Sequence, residues 1–247
     1  MTSGKVRVSV PETSQGTVTV SGPDSLSIGI GLPGLGSSQR AAVSTAGTVL
    51  YGASGSGAAD AVQPLTDGVR VLAIESDART KEFRFPITLP AGSFLIAQEG
   101  GTVAVEAPSG NGAAWAVGEF QSPWAKDANG RELPTSYRIE GNTLVQTVTT
   151  SASTAYPIVA DPKWTWGIVT GTAYFDKAET AQIANHADWV TLFGALIPWP
   201  WSTLLPAWAA YIRTVAQHAH TLGLCVSVKS TGTASIYGGS TAGGYCR

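Results

Sequence analysis

Between Asp188 and Arg213 the sequence runs for 24 residues, Trp189 to Ile212, without a single charge. Such a stretch cannot sit comfortably in water as an isolated helix. It has to bury its apolar side chains against the rest of the protein, against a partner, or in a lipid phase. Its length matches a bilayer core. Yet Ile197-Pro198-Trp199-Pro200-Trp201 lies in its middle, and two prolines remove backbone donors and force an extended path. A single spanning helix is therefore excluded, and a helical hairpin is expected. Asp176 and Glu179 are spaced as a capping box, which predicts a first helix from about Lys177 to Leu196. Ser202 is placed to cap a second, from about Thr203 to Leu222, with Pro206 near its start and Gly223 as its stop.

Two functional readings of the hairpin follow. In one, Trp189, Trp199, Trp201, Trp208 and Tyr211 meet a membrane or a cell-envelope partner, because aromatic rings with a polar edge favour such interfaces. In the other, the hairpin packs as domain core or as an oligomer interface.

The chain upstream has a different character. Val6-Arg7-Val8-Ser9-Val10, Thr17-Val18-Thr19-Val20 and Ser25–Ile30 alternate apolar and polar residues, the period of half-buried strands. From Asp60 to Glu106, strand-like runs recur with Thr66-Asp67-Gly68 and Leu89-Pro90-Ala91-Gly92 punctuating them. Tyr137-Arg138-Ile139 and Thr143–Val148 read as a hairpin, and Asn129-Gly130 as a tight turn. The expected fold is mainly β, an antiparallel sandwich or barrel over residues 1–162. A small α+β module follows over 163–247: the helical hairpin and a short hairpin of Leu224–Val228 with Ala234–Tyr237.

Charged residues make up only 13% of the chain, about half the usual share, as befits an extracellular β-protein whose exposed strands carry Thr and Ser. Residues 1–162 hold 10 Lys and Arg against 14 Asp and Glu, and residues 163–247 hold 5 against 3. Neither part is basic enough for nucleic-acid binding.

Cys225 and Cys246 are the two cysteines, with 20 residues between them. A disulfide is expected, worth roughly 3 kcal/mol for a loop of that size, and it implies an oxidising compartment. Free buried thiols are the alternative. Met1-Thr2-Ser3-Gly4-Lys5 shows no signal-peptide pattern, so a leader is expected to have been removed and Met1 added, with unconventional export as the alternative.

No metal or cofactor is expected. His218 and His220 point to different faces of a helix, and His186 stands apart from them. Asp127-x-Asn129-Gly130-x-Glu132 lacks the ligand series of a calcium loop. No Gly-x-Ser-x-Gly is present. Glu99, Glu106 and Glu119 would have to converge for glycosidase chemistry. A non-enzyme is the expectation.

Pro123-Trp124-Ala125-Lys126-Asp127-Ala128-Asn129-Gly130, Pro134–Tyr137, Leu144–Val148 and Tyr156-Pro157-Ile158-Val159-Ala160-Asp161-Pro162 resemble a group of exported actinobacterial proteins of uncharacterised function. In that group a β-rich region ends in Tyr-Pro-(Val/Ile)-Val-Ala-Asp-Pro and a variable small C-terminal module follows. Tyr174–Thr180, Cys225 and Gly243–Arg247 are similar to such modules. The resemblance implies a β-rich carrier or pro-region joined to exchangeable cargo, a layout shared with bacteriocins and toxins. The leading expectation is accordingly a secreted effector acting on a membrane or envelope partner. The alternative is an extracellular structural or binding protein.

Overall fold

The computed structural model describes residues 6–22, 26–33, 38–52, 58–78, 80–109, 112–166, 172–190, 201–229, 232–238 and 245–247. Strand is the dominant element, at 47%, with 15% helix. The chain divides into two compact units. The first comprises Met1–Pro90, Ala97–Val103 and Gly118–Trp166, the second Ala91–Ile96, Ala104–Val117 and Gly167–Arg247.

In the first unit, six strands form an antiparallel sheet in the order Arg7–Ser9, Thr17–Ser21, Ser27–Gly31, Glu82–Thr88, Thr143–Val148, Thr135–Glu140. The alternation in Glu82–Thr88 decides its faces. Phe83, Phe85 and Ile87 are buried, while Glu82, Arg84, Pro86 and Thr88 are exposed. Leu144 stands opposite Phe85 and Gln146 opposite Phe83, so these side chains enter the same core. On the outer face Arg138 grips Glu82 with two hydrogen bonds of 2.9 and 3.2 Å and Glu140 with one of 2.8 Å. Arg84 also pairs with Glu140. These exposed pairs add little stability, but they fix the strand register.

A second set of antiparallel pairings runs from Ala42–Val43 through Val49–Tyr51 and Ala58–Pro64 to Gly68–Glu75. Gly68–Glu75 then accepts two further strands along its other edge, Ile158–Ala160 and Lys163–Trp166. The last pairing moves the expected boundary at Pro162. Lys163–Trp166 is a strand of the first unit, with Trp164 fully buried against Phe120. Ala91–Ile96 and Ala104–Val117 meanwhile belong to the second.

The segments Pro123–Gly130 and Tyr156–Pro162 are joined to each other. Ala125 and Lys126 pair with Ala160 and Val159. The Asp161 carboxylate accepts the Trp124 N–H at 3.1 Å, and the Asp161 N–H donates to the Trp124 carbonyl at 3.3 Å. Gln146 donates to the same carbonyl at 3.0 Å, and the Tyr137 hydroxyl to the Asp161 carbonyl at 3.1 Å. Burial pushes the Asp161 carboxyl up to about 6, against the pull of the Trp124 N–H and of Arg70 at 3.8 Å. Asp127 closes the neighbouring turn. It accepts the Asn129 and Arg131 N–H groups at 3.0 Å and the Arg131 guanidinium at 2.9 Å. That is an Asx turn rather than a cation loop.

Gly118 lies against Trp164 so closely that a Cβ there would meet the indole at 2.3 Å and the Thr165 carbonyl at 2.5 Å. Neither the packed ring nor the backbone can yield. Gly118→Ala is expected to lower the stability of the chain by about 1–3 kcal/mol, the range for overpacking a dense core. Urea denaturation followed by Trp fluorescence measures it, and an unchanged midpoint would show that the ring has room to shift.

Candidate functional site

The residues singled out in the sequence gather in the second unit. Its sheet pairs Ala114 with Tyr174, Thr172–Tyr174 with Ser227–Lys229, and Cys225–Val228 with Ala234–Tyr237. Opposed residues share a face, so this sheet has two different surfaces. Ala173, Val226, Val228 and Ala234 form one, and Tyr174, Cys225 and Tyr237 the other.

Two helices cover the first surface: α1, Lys177–Asn185, and α2, Trp201–Thr221. The capping box that starts α1 is complete. The Asp176 carboxylate accepts the Glu179 N–H at 2.8 Å, and the Glu179 carboxylate accepts the Asp176 N–H at 2.7 Å. The helix ends eleven residues earlier than the sequence pattern predicts, at Asn185 rather than Leu196. Part of the reason is visible in the hydrogen bonds. The Arg213 and Gln217 side chains of α2 both donate to the Ala184 carbonyl at 3.2 Å, satisfying a terminal acceptor from outside the helix. In α2 the apolar positions Trp208, Ile212, Val215 and Ala216 follow helical spacing and face the core, and Ala219 is buried one turn on. The helix already includes Trp201, so Ser202 lies inside it rather than capping it. It continues through Pro206, and Gly223 follows its end.

Trp189 is fully buried, and its indole N–H donates to the Ala209 carbonyl of α2 at 3.2 Å. Trp189, one of the residues expected to meet a membrane or partner, packs with its ring between the helices and the sheet. Trp208 is half-buried on the same core, against Gly232, where a Cβ would meet the indole at 2.6 Å. Tyr211 is 48% exposed, with its hydroxyl 3.3 Å from the Ala234 carbonyl. Trp199 and the Trp201 side chain lie outside the described residues. Among the described residues no helix is long and apolar enough to cross a membrane.

The other surface of the sheet carries the Cys225–Cys246 disulfide, in keeping with an extracellular or otherwise oxidising environment. Tyr245 and Cys246 bring the last described segment onto a cluster of Phe94, Ile96, Ala104, Tyr174 and Tyr237. Phe94 stacks at 5.2 Å from Tyr245, and Tyr174 meets Tyr237 edge-on at 5.2 Å. The Tyr237 hydroxyl donates to the Phe175 carbonyl at 3.0 Å. Burial raises both the Tyr237 and Tyr245 phenols, with Glu179 and Asp176 adding to the effect.

Two carboxyls of this unit stand out. Glu106, in Val103–Ser109, is wholly buried, and neither carboxyl oxygen has a hydrogen-bond partner. Burial holds its carboxyl well above the ordinary range. Glu179 is pushed up to about 7 by burial, with the Asp176 N–H pulling down and the Asp176 charge pushing up. Of the other glutamates weighed for catalysis, Glu119 belongs to the first unit and the Glu99 side chain lies outside the described residues. His186, His218 and His220 are exposed. No group of three metal-ligating side chains occurs among the described residues. Glu106 gave no signal in the sequence beyond a charge inside an apolar run, which reads equally well as an exposed strand position.

The chain matches no known protein family, no curated protein and no solved structure in the comparisons made.

The Glu179 environment makes stability depend on pH. The folded carboxyl holds its proton up to about pH 7 and the unfolded one only to about 4.5. Between those values the folded state binds more protons, so its stability falls as pH rises. Glu179→Gln keeps a capping side chain without the charge. Its melting temperature is expected to fall less than wild type between pH 5 and pH 8 and to equal or exceed wild type at pH 8. Parallel melting curves for the two proteins would refute the assignment.

Proposed function

We propose that this is a secreted, non-enzymatic binding or structural protein of the cell exterior. In this reading the helical pair is a permanent part of the second unit's core and not a membrane-inserting effector device. The observation that carries the reading is the burial of Trp189, together with the reciprocal ties between the helices. One of the large indoles of the uncharged run is spent inside the fold. Releasing it would cost about 3–5 kcal/mol by the scale of large core truncations, a large share of a domain's whole stability. Among the described residues of the run, Tyr211 is the aromatic side chain that stays exposed. The disulfide supports the location.

Residues 163–247 do not contain Ala91–Ile96 and Ala104–Val117, which belong to the second unit, so the full chain is the proper test object. At micromolar concentration it is expected neither to bind anionic phosphatidylglycerol vesicles nor to release a dye trapped in them. Leakage at micromolar protein would overturn the reading and restore the bacteriocin- or toxin-like effector.

A further inference from the structure

Glu106 belongs to Val103–Ser109, a strand paired along both edges. It is fully buried, and among the described residues neither carboxyl oxygen has a hydrogen-bond partner. Alternate residues of a strand share a face, so Glu106 points to the same side as Ala104. Ala104 packs there in one cluster with Tyr174, Cys225, Tyr237, Tyr245 and the half-buried Cys246. Glu106 therefore shares its face of the strand with the segment that the Cys225–Cys246 disulfide fastens down.

A carboxylate with neither oxygen paired is strongly disfavoured in an apolar interior, whereas the uncharged acid is tolerated. Burial accordingly holds the Glu106 carboxyl well above the ordinary range. The ionisable groups around this cluster are the phenols of Tyr174, Tyr237 and Tyr245, Glu179 and Asp176 at the start of α1, and the exposed Arg247. Burial raises the Tyr237 and Tyr245 phenols, so neither titrates near neutral pH, and Arg247 draws the Tyr245 phenol only partly back. Glu179, pushed up to about 7, is the other raised carboxyl of the cluster.

We propose that Tyr245–Arg247 is a redox-released lid over Glu106. Closed by the disulfide, it keeps Glu106 dry and in its acid form. A dithiol opens it. The dithiol gives two electrons and two protons to the Cys225–Cys246 bond, which becomes two thiols, and is itself oxidised to a disulfide. Tyr245 then leaves the cluster, water reaches Glu106, and the carboxyl releases its proton to solvent. The carboxylate so formed resists reburial and opposes reclosure.

Opening is thereby tied to pH. Exchange between thiols and disulfides neither takes up nor releases protons below the thiol range of about 8.5. The open state holds fewer protons than the closed one above the ordinary glutamate value of about 4.3, so the same dithiol opens the lid more readily as pH rises.

The test is run on full-length Glu179→Gln, which removes the other raised carboxyl. The protein is equilibrated with mixtures of reduced and oxidised dithiothreitol, and its free thiols are alkylated and counted by mass spectrometry. Between pH 6.0 and pH 7.5 the equilibrium constant for reduction is expected to rise roughly thirtyfold, about tenfold per pH unit for one proton released. With Glu106→Gln added it is expected to stay constant within about twofold. Infrared spectra of the wild type at pH 8 give a second readout, a protonated-carboxyl band in the oxidised protein that vanishes on reduction. A constant independent of pH in Glu179→Gln, or the same rise with Glu106→Gln present, would overturn the proposal. If the double variant does not fold, the infrared band decides: its absence from the oxidised protein, or its survival on reduction, overturns the proposal equally.

Discussion

The strands Thr172–Tyr174, Cys225–Lys229 and Ala234–Tyr237 carry apolar residues on both faces and have to be covered on both sides, and that requirement organises the second unit. Ala173, Val226 and Val228 need a lid, and α1 and α2 supply it. Tyr174, Cys225 and Tyr237 need another, and Phe94, Ile96, Ala104 and Tyr245 supply that. Backbone groups at the joints are satisfied by named side chains: Ala184 by Arg213 and Gln217, Ala209 by Trp189, Phe175 by Tyr237. The disulfide holds Tyr245 over one face by covalent means, in a unit whose small strands alone would make a marginal core.

The first unit meets its burial requirement differently, with longer strands and a polar clamp. Asp161 and Trp124 exchange two hydrogen bonds, and Gln146 and Tyr137 close the remaining acceptors around them. Interior amides and carboxyls are tolerated only when paired in this way. The segments Pro123–Gly130 and Tyr156–Pro162, far apart in sequence, are therefore two halves of one structural device. Gln146 Oε1 and Asp60 Oδ2 depart from that pattern, since both are buried and unpaired.

What was legible in the sequence was local. The capping box at Asp176 and Glu179, the alternation in Glu82–Thr88, the hairpin ending in Thr143–Val148 and the Cys225–Cys246 pairing all depend on neighbours or on a count of two, and the structure contains them. What escaped depends on distant pairing. Gly112–Phe120 is rich in Gly and Ala and shows no alternation, so nothing marks it as a strand, yet its ends pair with Lys163–Trp166 and with Thr172–Tyr174. The recruitment of Ala91–Ile96 into the second unit is likewise invisible to periodicity. Trp189 misled for a related reason. An indole in an uncharged run reads alike whether its surroundings are lipid or protein, and only the Ala209 carbonyl and the sheet behind it decide.

The central claim is that helices, sheet and disulfide of the second unit form one cooperative core. Native-state hydrogen exchange on the full chain, with Cys225–Cys246 intact and then reduced, tests it most directly. On reduction, the amides of Trp201–Thr221, Cys225–Lys229 and Val103–Ser109 are expected to lose protection together, while those of Glu82–Thr88 and Thr143–Val148 keep theirs. Loss confined to residues 245–247, with α2 and its sheet still protected, would contradict the account.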